Sequence, residues 1–130
     1  MAATYNNLYL DARKRLREAG VEGAQLEARE LVCCAAGKSR EQFYRDMALY
    51  ASDPVEEKLA ELLERRLAGE PVAYLIGEWE FYGLGLDITP DVLIPRMDTE
   101  VLAERAILLA RAAGEGARVL DLCAGSGCVG

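Results

Sequence analysis

Hydrophobic residues recur at helical spacing through the first half of the chain. Leu8, Ala12 and Leu16 repeat every four positions between residues 4 and 19, with Tyr5 and Tyr9 beside them, and the polar residues include Arg13, Lys14, Arg17 and Glu18. This spacing predicts an amphipathic helix. A similar apolar face over residues 23–36 predicts a second helix, which a glycine ends.

Capping residues mark where two further helices begin. The segment from Ser39 to Gln42 has the form of a capping box, because a serine and a glutamine three residues apart can each satisfy a free backbone amide. We expect a fourth helix to begin with Asp53 as its N-cap and Pro54 at its first helical position. Residues 1–70 are therefore predicted to form a small antiparallel, all-α helical bundle.

The pattern changes after Gly69. Glycine and proline bracket one short apolar piece that is long enough for a single helical turn. Residues 78–82 then alternate polar and aromatic side chains, which is typical of a half-buried strand, and residues 86–88 return as a second strand around a turn at 83–85. Residues 71–95 are predicted to be a β-hairpin linker between two domains.

The last region, residues 96–130, is predicted to contain one helix and one strand. Asp98 or Thr99 can cap a helix, and Val119 to Leu122 form a short apolar run, broken only by Asp121, of the kind found in a buried parallel strand. The predicted inward face of that helix consists of Val101, Leu102, Ala106, Leu109 and Ala113. The fold class is thus an α+β fragment.

A glycine-rich turn follows the predicted strand. Gly125, Gly127 and Gly130 fit the pattern G-x-G-x-x-G, in which the backbone can lie against a nucleotide-like ligand because glycine has no Cβ. A glycine turn that binds no ligand is the simpler alternative. The preceding Asp121 bears on the choice of ligand, although it could also cap the amides of the turn.

The charge of Asp121 separates two classes of ligand. Beside a pyrophosphate the carboxylate would repel by about 1 to 4 kcal/mol at contact distance. Beside the ammonium of S-adenosylmethionine the same charge attracts. Asp121 therefore favours S-adenosylmethionine and argues against a dinucleotide oxidoreductase.

Composition argues against several other classes of partner and functional site. The chain has 130 residues and a net charge of −7, which disfavours nucleic acid as a direct partner. It contains no histidine, so neither a histidine base nor a mixed Cys/His metal site is possible, and we expect no metal. The N-terminus lacks the features of a signal peptide, and four thiols without disulfide spacing indicate a reduced, cytoplasmic protein with no membrane span.

Four motifs carry a resemblance to a known family. They are Gly69-Glu70-Pro71-x-x-Tyr74-x-x-Gly77, Phe81-Tyr82-Gly83-Leu84, Pro90-x-Val92-Leu93-Ile94-Pro95-Arg96-x-x-Thr99-Glu100 and Asp121-Leu122-x-x-Gly125-Ser126-Gly127. Together they resemble the HemK family, the N5-glutamine methyltransferases of class-1 peptide chain release factors. The resemblance implies a helical domain that recognises substrate, a hairpin linker, and the first helix and strand of a Rossmann-like α/β methyltransferase domain.

The resemblance also implies functional residues. S-adenosylmethionine would bind at the loop formed by Asp121, Cys123, Ala124, Gly125, Ser126 and Gly127. Leu93, Arg96, Thr99 and Glu100 would lie near that site, although Arg96 and Glu100 could instead form an ordinary surface ion pair. Two departures occur: Cys123 and Ala124 replace the usual glycine and threonine, and Met97 replaces a proline. Because cysteine has a Cβ, we expect Cys123 to adopt a conformation open to non-glycine residues.

The implied reaction transfers a methyl group from S-adenosylmethionine to the side-chain amide nitrogen of the glutamine in a Gly-Gly-Gln motif. The family orients that amide with an Asn-Pro-Pro-Tyr motif, which this sequence does not contain. We therefore expect an N-terminal fragment that is inactive alone, with unknown catalytic residues beyond Gly130. Two alternatives stay open, an amine methyltransferase with a nucleic acid target and a partner-binding module without catalysis.

Overall fold

The computed structural model describes residues 2–130, which form six helices and one two-stranded antiparallel sheet. The elements in chain order are α1 (Tyr5–Glu18), α2 (Ala24–Ala36), α3 (Arg40–Arg45), α4 (Asp53–Leu67), α5 (Val72–Ile76), β1 (Glu78–Phe81), β2 (Leu84–Asp87) and α6 (Met97–Ala113). They divide into two compact units, one ending at Ile76 and one beginning at Gly77.

The first unit confirms the predicted helical N-terminal half. Helix α2 lies at its centre and packs against α1, α3, α4 and α5. The buried side chains include Leu16, Ala28, Leu31, Val32, Phe43, Leu59, Leu62 and Leu63. Burying a large apolar side chain of this kind stabilises the unit by about 1.5–3 kcal/mol before conformational entropy is subtracted. The short helix α5 belongs to this unit, whereas the sequence analysis placed it in the linker. The division into three domains remains a prediction.

Helix starts in the first unit follow the predicted caps with one exception. The Ser39 hydroxyl accepts from the Gln42 amide at 3.2 Å and the Gln42 side chain accepts from the Ser39 amide at 3.0 Å, so the capping box is confirmed. The predicted N-cap of α4 is wrong by one position, because Ser52 has the extended conformation of a cap and Asp53 is already helical. An acidic residue in the first turn still interacts favourably with the helix dipole.

The second unit begins with the predicted hairpin, but its turn lies elsewhere. Phe81 pairs with Leu84, so the connecting loop contains only Tyr82 and Gly83 rather than residues 83–85. Both loop residues have positive φ, 50° and 78°, as a two-residue turn that matches strand twist requires. The sequence missed this because a glycine on either side of Leu84 suggested a wider turn.

Helix α6 forms where a helix was predicted, with corrections to its start and its face. It begins at Met97, and its N-cap is Arg96, whose side chain makes no capping bond, so Asp98 and Thr99 are not the cap. Ala103 is its one buried residue, and the inward face predicted from the sequence is wrong: Val101, Leu102 and Leu109 are 69%, 59% and 58% exposed. A helix buries a face only where another element covers it.

The predicted strand at residues 119–122 does not form. Val119, Leu120 and Leu122 are 74%, 84% and 78% exposed, and the segment is irregular. A parallel strand is held by hydrogen bonds to neighbouring strands, and the sheet formed by the described residues pairs only β1 with β2. None of the helices in the described part of the chain is long and apolar enough to cross a membrane.

Candidate functional site

The glycine-rich loop folds into a tight turn. The amide of Gly127 donates to the carbonyl of Ala124 at 2.9 Å. Gly125 and Gly127 have φ of 58° and 78°, in the left-handed region that side chains with a Cβ disfavour. The glycine identities at both positions therefore follow from backbone conformation.

The space above this turn is open. A Cβ added at Gly125 or Gly127 would meet no other atom within 4 Å, and Ser126 between them is exposed. The Asp121 carboxylate is exposed as well, and its Oδ2 lies 3.3 Å from the position of a Cβ at Gly130. The loop thus presents bare backbone and one carboxylate on the same stretch of chain, which suits a ligand that carries an ammonium group.

Cys123 adopts a glycine-like backbone conformation. Its φ is 56°, in the left-handed region, which a residue with a Cβ can adopt but seldom does. A non-glycine residue in the left-handed region costs roughly 1–2 kcal/mol, since its Cβ approaches the following carbonyl. Cys123 is therefore a point of backbone strain in the loop.

Glu100 binds the hairpin turn. Its Oε1 accepts a hydrogen bond from the backbone amide of Tyr82 at 2.7 Å. No ion pair joins Arg96 to Glu100 among residues 2–130, and the Glu100 carboxylate accepts from the Tyr82 amide instead. The sequence missed Tyr82 as the partner, because no local pattern links residues 18 positions apart.

The remaining predicted near-site residues lie around the start of α6. Leu93 is 78% exposed in the extended segment, Arg96 is exposed at the N-cap, and Thr99 is half-buried in the first turn of the helix. Within the described part of the chain, no hydrogen bond or ion pair connects these residues or Glu100 to the glycine loop. Their assignment to the loop's neighbourhood remains a prediction.

The four cysteines are all free, and they differ in environment. Cys33 is buried, Cys34 and Cys128 are half-buried, and Cys123 is exposed. Burial raises the pKa of the Cys33 thiol to about 11, and the nearby charge of Glu30 contributes in the same direction. In residues 2–130, no group of three or more Cys, Asp or Glu side chains is arranged to hold a metal ion.

Comparison with known proteins identifies the first unit. The family model described as the PrmC N-terminal domain matches residues 7–77, which run from the first turn of α1 to just past α5. Many curated proteins are also similar to this chain, and three of them show the range of identity and coverage.

A protein of Haemophilus influenzae is 41% identical over 112 residues, 83% of this chain and 38% of the relative. One of Bordetella pertussis is 48% identical over 111 residues, 81% of this chain and 38% of the relative. One of Vibrio cholerae is 37% identical over 129 residues, 99% of this chain and 44% of the relative. Each is named release factor glutamine methyltransferase, and the chain spans about two fifths of their length.

Proposed function

Because this chain belongs to the HemK family of release factor glutamine methyltransferases, we propose that it forms the N-terminal part of such an enzyme. The intact protein would methylate class-1 peptide chain release factors in the cytoplasm, with S-adenosylmethionine as cofactor. One observation carries the proposal: the similarity to a relative of that name covers 99% of this chain, so it includes the glycine loop as well as the helices.

The glycine loop is the proposed cofactor site. The residues present fit the amino-acid end of S-adenosylmethionine, because the exposed Asp121 carboxylate can attract its ammonium and the space over Gly125 and Gly127 is open. Cys123, Ala124 and Ser126 would line the same loop. The cofactor would supply an activated methyl group for the side-chain amide nitrogen of the glutamine in a Gly-Gly-Gln motif.

The two units would have separate tasks. The helical unit, residues 2–76, would recognise the release factor, and residues 96–130 would begin a Rossmann-like methyltransferase domain. No Asn-Pro-Pro-Tyr segment occurs in this sequence, so groups that orient the glutamine amide would come from other residues of the intact enzyme. The 130-residue chain alone would therefore be inactive.

Methyl transfer by the intact protein that contains this chain tests the proposal. The protein is incubated with labelled S-adenosylmethionine and an unmodified release factor, and the modified residue is located by mass spectrometry. We expect label on one glutamine of the release factor. Label found instead on added RNA or DNA would support the nucleic acid alternative and overturn the proposal.

A charge substitution tests the cofactor site separately. We expect Asp121→Asn in the intact protein to weaken S-adenosylmethionine binding about tenfold, which corresponds to about 1.4 kcal/mol. Asp91→Asn changes the net charge equally at an exposed position outside the loop and should leave the affinity unchanged. Equal affinities of the two variants for S-adenosylmethionine would show that Asp121 does not contribute to the cofactor site.

A further inference from the structure

The hairpin fold does not require a tyrosine at position 82. Tyr82 is the first residue of the two-residue hairpin loop, with φ of 50°, and 43% of its surface is exposed. Such loops favour asparagine, aspartate or glycine, since these residues tolerate positive φ. Strained residues of this kind concentrate at functional sites, where the side chain has a use that outweighs the strain.

Glu100 stabilises this conformation. Its carboxylate accepts the Tyr82 amide at 2.7 Å, a length typical of a hydrogen bond to a charged acceptor. The bond joins the first turns of α6 to the hairpin loop. Glu100 is therefore a positioning residue that holds the Tyr82 backbone, and with it the aromatic side chain, at the tip of the hairpin.

One face of the hairpin carries two acidic residues at paired positions. Glu78 pairs with Asp87 across the strands. The amide of Ile88 donates to the carbonyl of Gly77 at 2.9 Å, so by the alternation of an antiparallel ladder the next pair, Glu78 and Asp87, is the closer, non-hydrogen-bonded kind. Like charges in such a pair destabilise the sheet.

No cation of the described residues pairs with either carboxylate. The Glu78 side chain instead lies over Gly85, where its Oε1 is 3.5 Å from the position of a Cβ. Residues 77–130 carry nine acidic and four basic side chains, a net charge of −5. A positively charged partner would remove the repulsion between Glu78 and Asp87, whereas the phosphates of a nucleic acid would increase it.

We infer that the hairpin is a docking surface for a positively charged polypeptide segment of the protein substrate, which meets the Tyr82 ring at the tip and the Glu78–Asp87 pair on the strand face. Tyrosine is enriched at protein interfaces because it joins a large apolar ring to a polar end. The inference rests on the proposed function, since that function supplies the protein substrate.

Steady-state kinetics of the intact protein with an unmodified release factor test the docking surface. Tyr82→Asn removes the ring but places a residue suited to positive φ in the turn, so the variant should fold with an unchanged or higher melting temperature. We expect its KM for the release factor to rise about fivefold or more, with little change in kcat or in S-adenosylmethionine affinity. A merely structural role for Tyr82 predicts no rise in KM.

Asp87→Asn tests the charge contribution. We expect a rise of about threefold in KM at low salt that disappears at about 0.5 M salt, because screening weakens exposed charge interactions. Asp91→Asn makes the same charge change outside the hairpin and should leave KM unaltered. The two hypotheses fail differently: absence of methyl transfer by the wild-type protein overturns both, whereas normal transfer with unchanged KM in Tyr82→Asn and Asp87→Asn overturns the docking surface alone.

Discussion

Arg66 on α4 donates from its Nε to Oε1 of Glu27 on α2 at 2.6 Å, which links two neighbouring helices of the first unit through residues 39 positions apart. The side chains are only 21% and 14% exposed, so water screens the two charges little. The pair lies at the contact between the central helix and α4. It therefore couples the second half of the helical unit to its centre.

Arg66→Met should destabilise the chain, because the Glu27 carboxylate would stay partly buried without its partner. We expect the free energy of unfolding to fall by about 1–3 kcal/mol, less than the cost of breaking a fully buried pair. Urea unfolding followed by far-UV circular dichroism measures this change. The exposed pair of Arg65 and Glu70 provides the control, and Arg65→Met should cost clearly less; equal losses would contradict the argument.

The stability of the first unit should fall in acid through Asp46. Hydrogen bonds from Arg45 and Lys38, at 3.0 and 2.7 Å, hold the pKa of this carboxyl well below its ordinary value of 3.8. A depressed pKa stabilises the folded state above the ordinary value, and this stabilisation is lost as the pH falls below about 4. Thermal unfolding between pH 7 and pH 2 should show a smaller acid loss in Asp46→Asn than in the wild type.

Two serines at helix starts should respond differently to the same substitution. The Ser39 hydroxyl caps α3, so Ser39→Ala should lower the free energy of unfolding by about 1 kcal/mol. Ser52 is the N-cap of α4, but its side chain makes no capping bond, and Ser52→Ala should cost less. Chemical denaturation of both variants compares them directly; a larger loss at Ser52 would show that the caps are assigned wrongly.

Alkylation should distinguish the cysteines. The thiolate is the reactive form, and the Cys33 thiol is buried with a pKa of about 11. Cys123 is exposed in the glycine loop. Iodoacetamide at pH 8 should modify Cys123 at least tenfold faster than Cys33 in the folded chain, as measured by peptide mass spectrometry. Similar rates for Cys33 and Cys123 in the folded chain would be incompatible with this structure.

The helices of the first unit were predictable because their determinants are local. Apolar spacing, the capping box at Ser39 and the glycine at the end of α2 each act within a few residues, and the helices form where these signals lie. The shift of the α4 cap from Asp53 to Ser52 shows the limit of such signals. Both residues are good caps, and the backbone conformation alone distinguishes them.

The residues of the candidate site remain a prediction from motif spacing, and the contacts around it could not be predicted from the sequence. The acidic residue and the glycines of the loop could be identified from motif spacing, yet the bond between Glu100 and the Tyr82 amide joins residues 18 positions apart. Sequence spacing placed Glu100 near Arg96 instead. Contacts at this separation depend on how the hairpin and α6 are arranged, which no local pattern encodes.

The sequence by itself determined the helical first unit, the existence of the hairpin and the family, since periodicity, caps and motifs are properties of neighbouring residues. The tertiary structure alone decided that Tyr82 and Cys123 take glycine-like conformations, that α6 exposes its apolar side chains, and that residues 119–122 form no strand. The physical reason is that an apolar pattern indicates only which side chains of a segment could be buried. Whether it does so depends on another element that supplies the covering surface and the hydrogen-bonding edge.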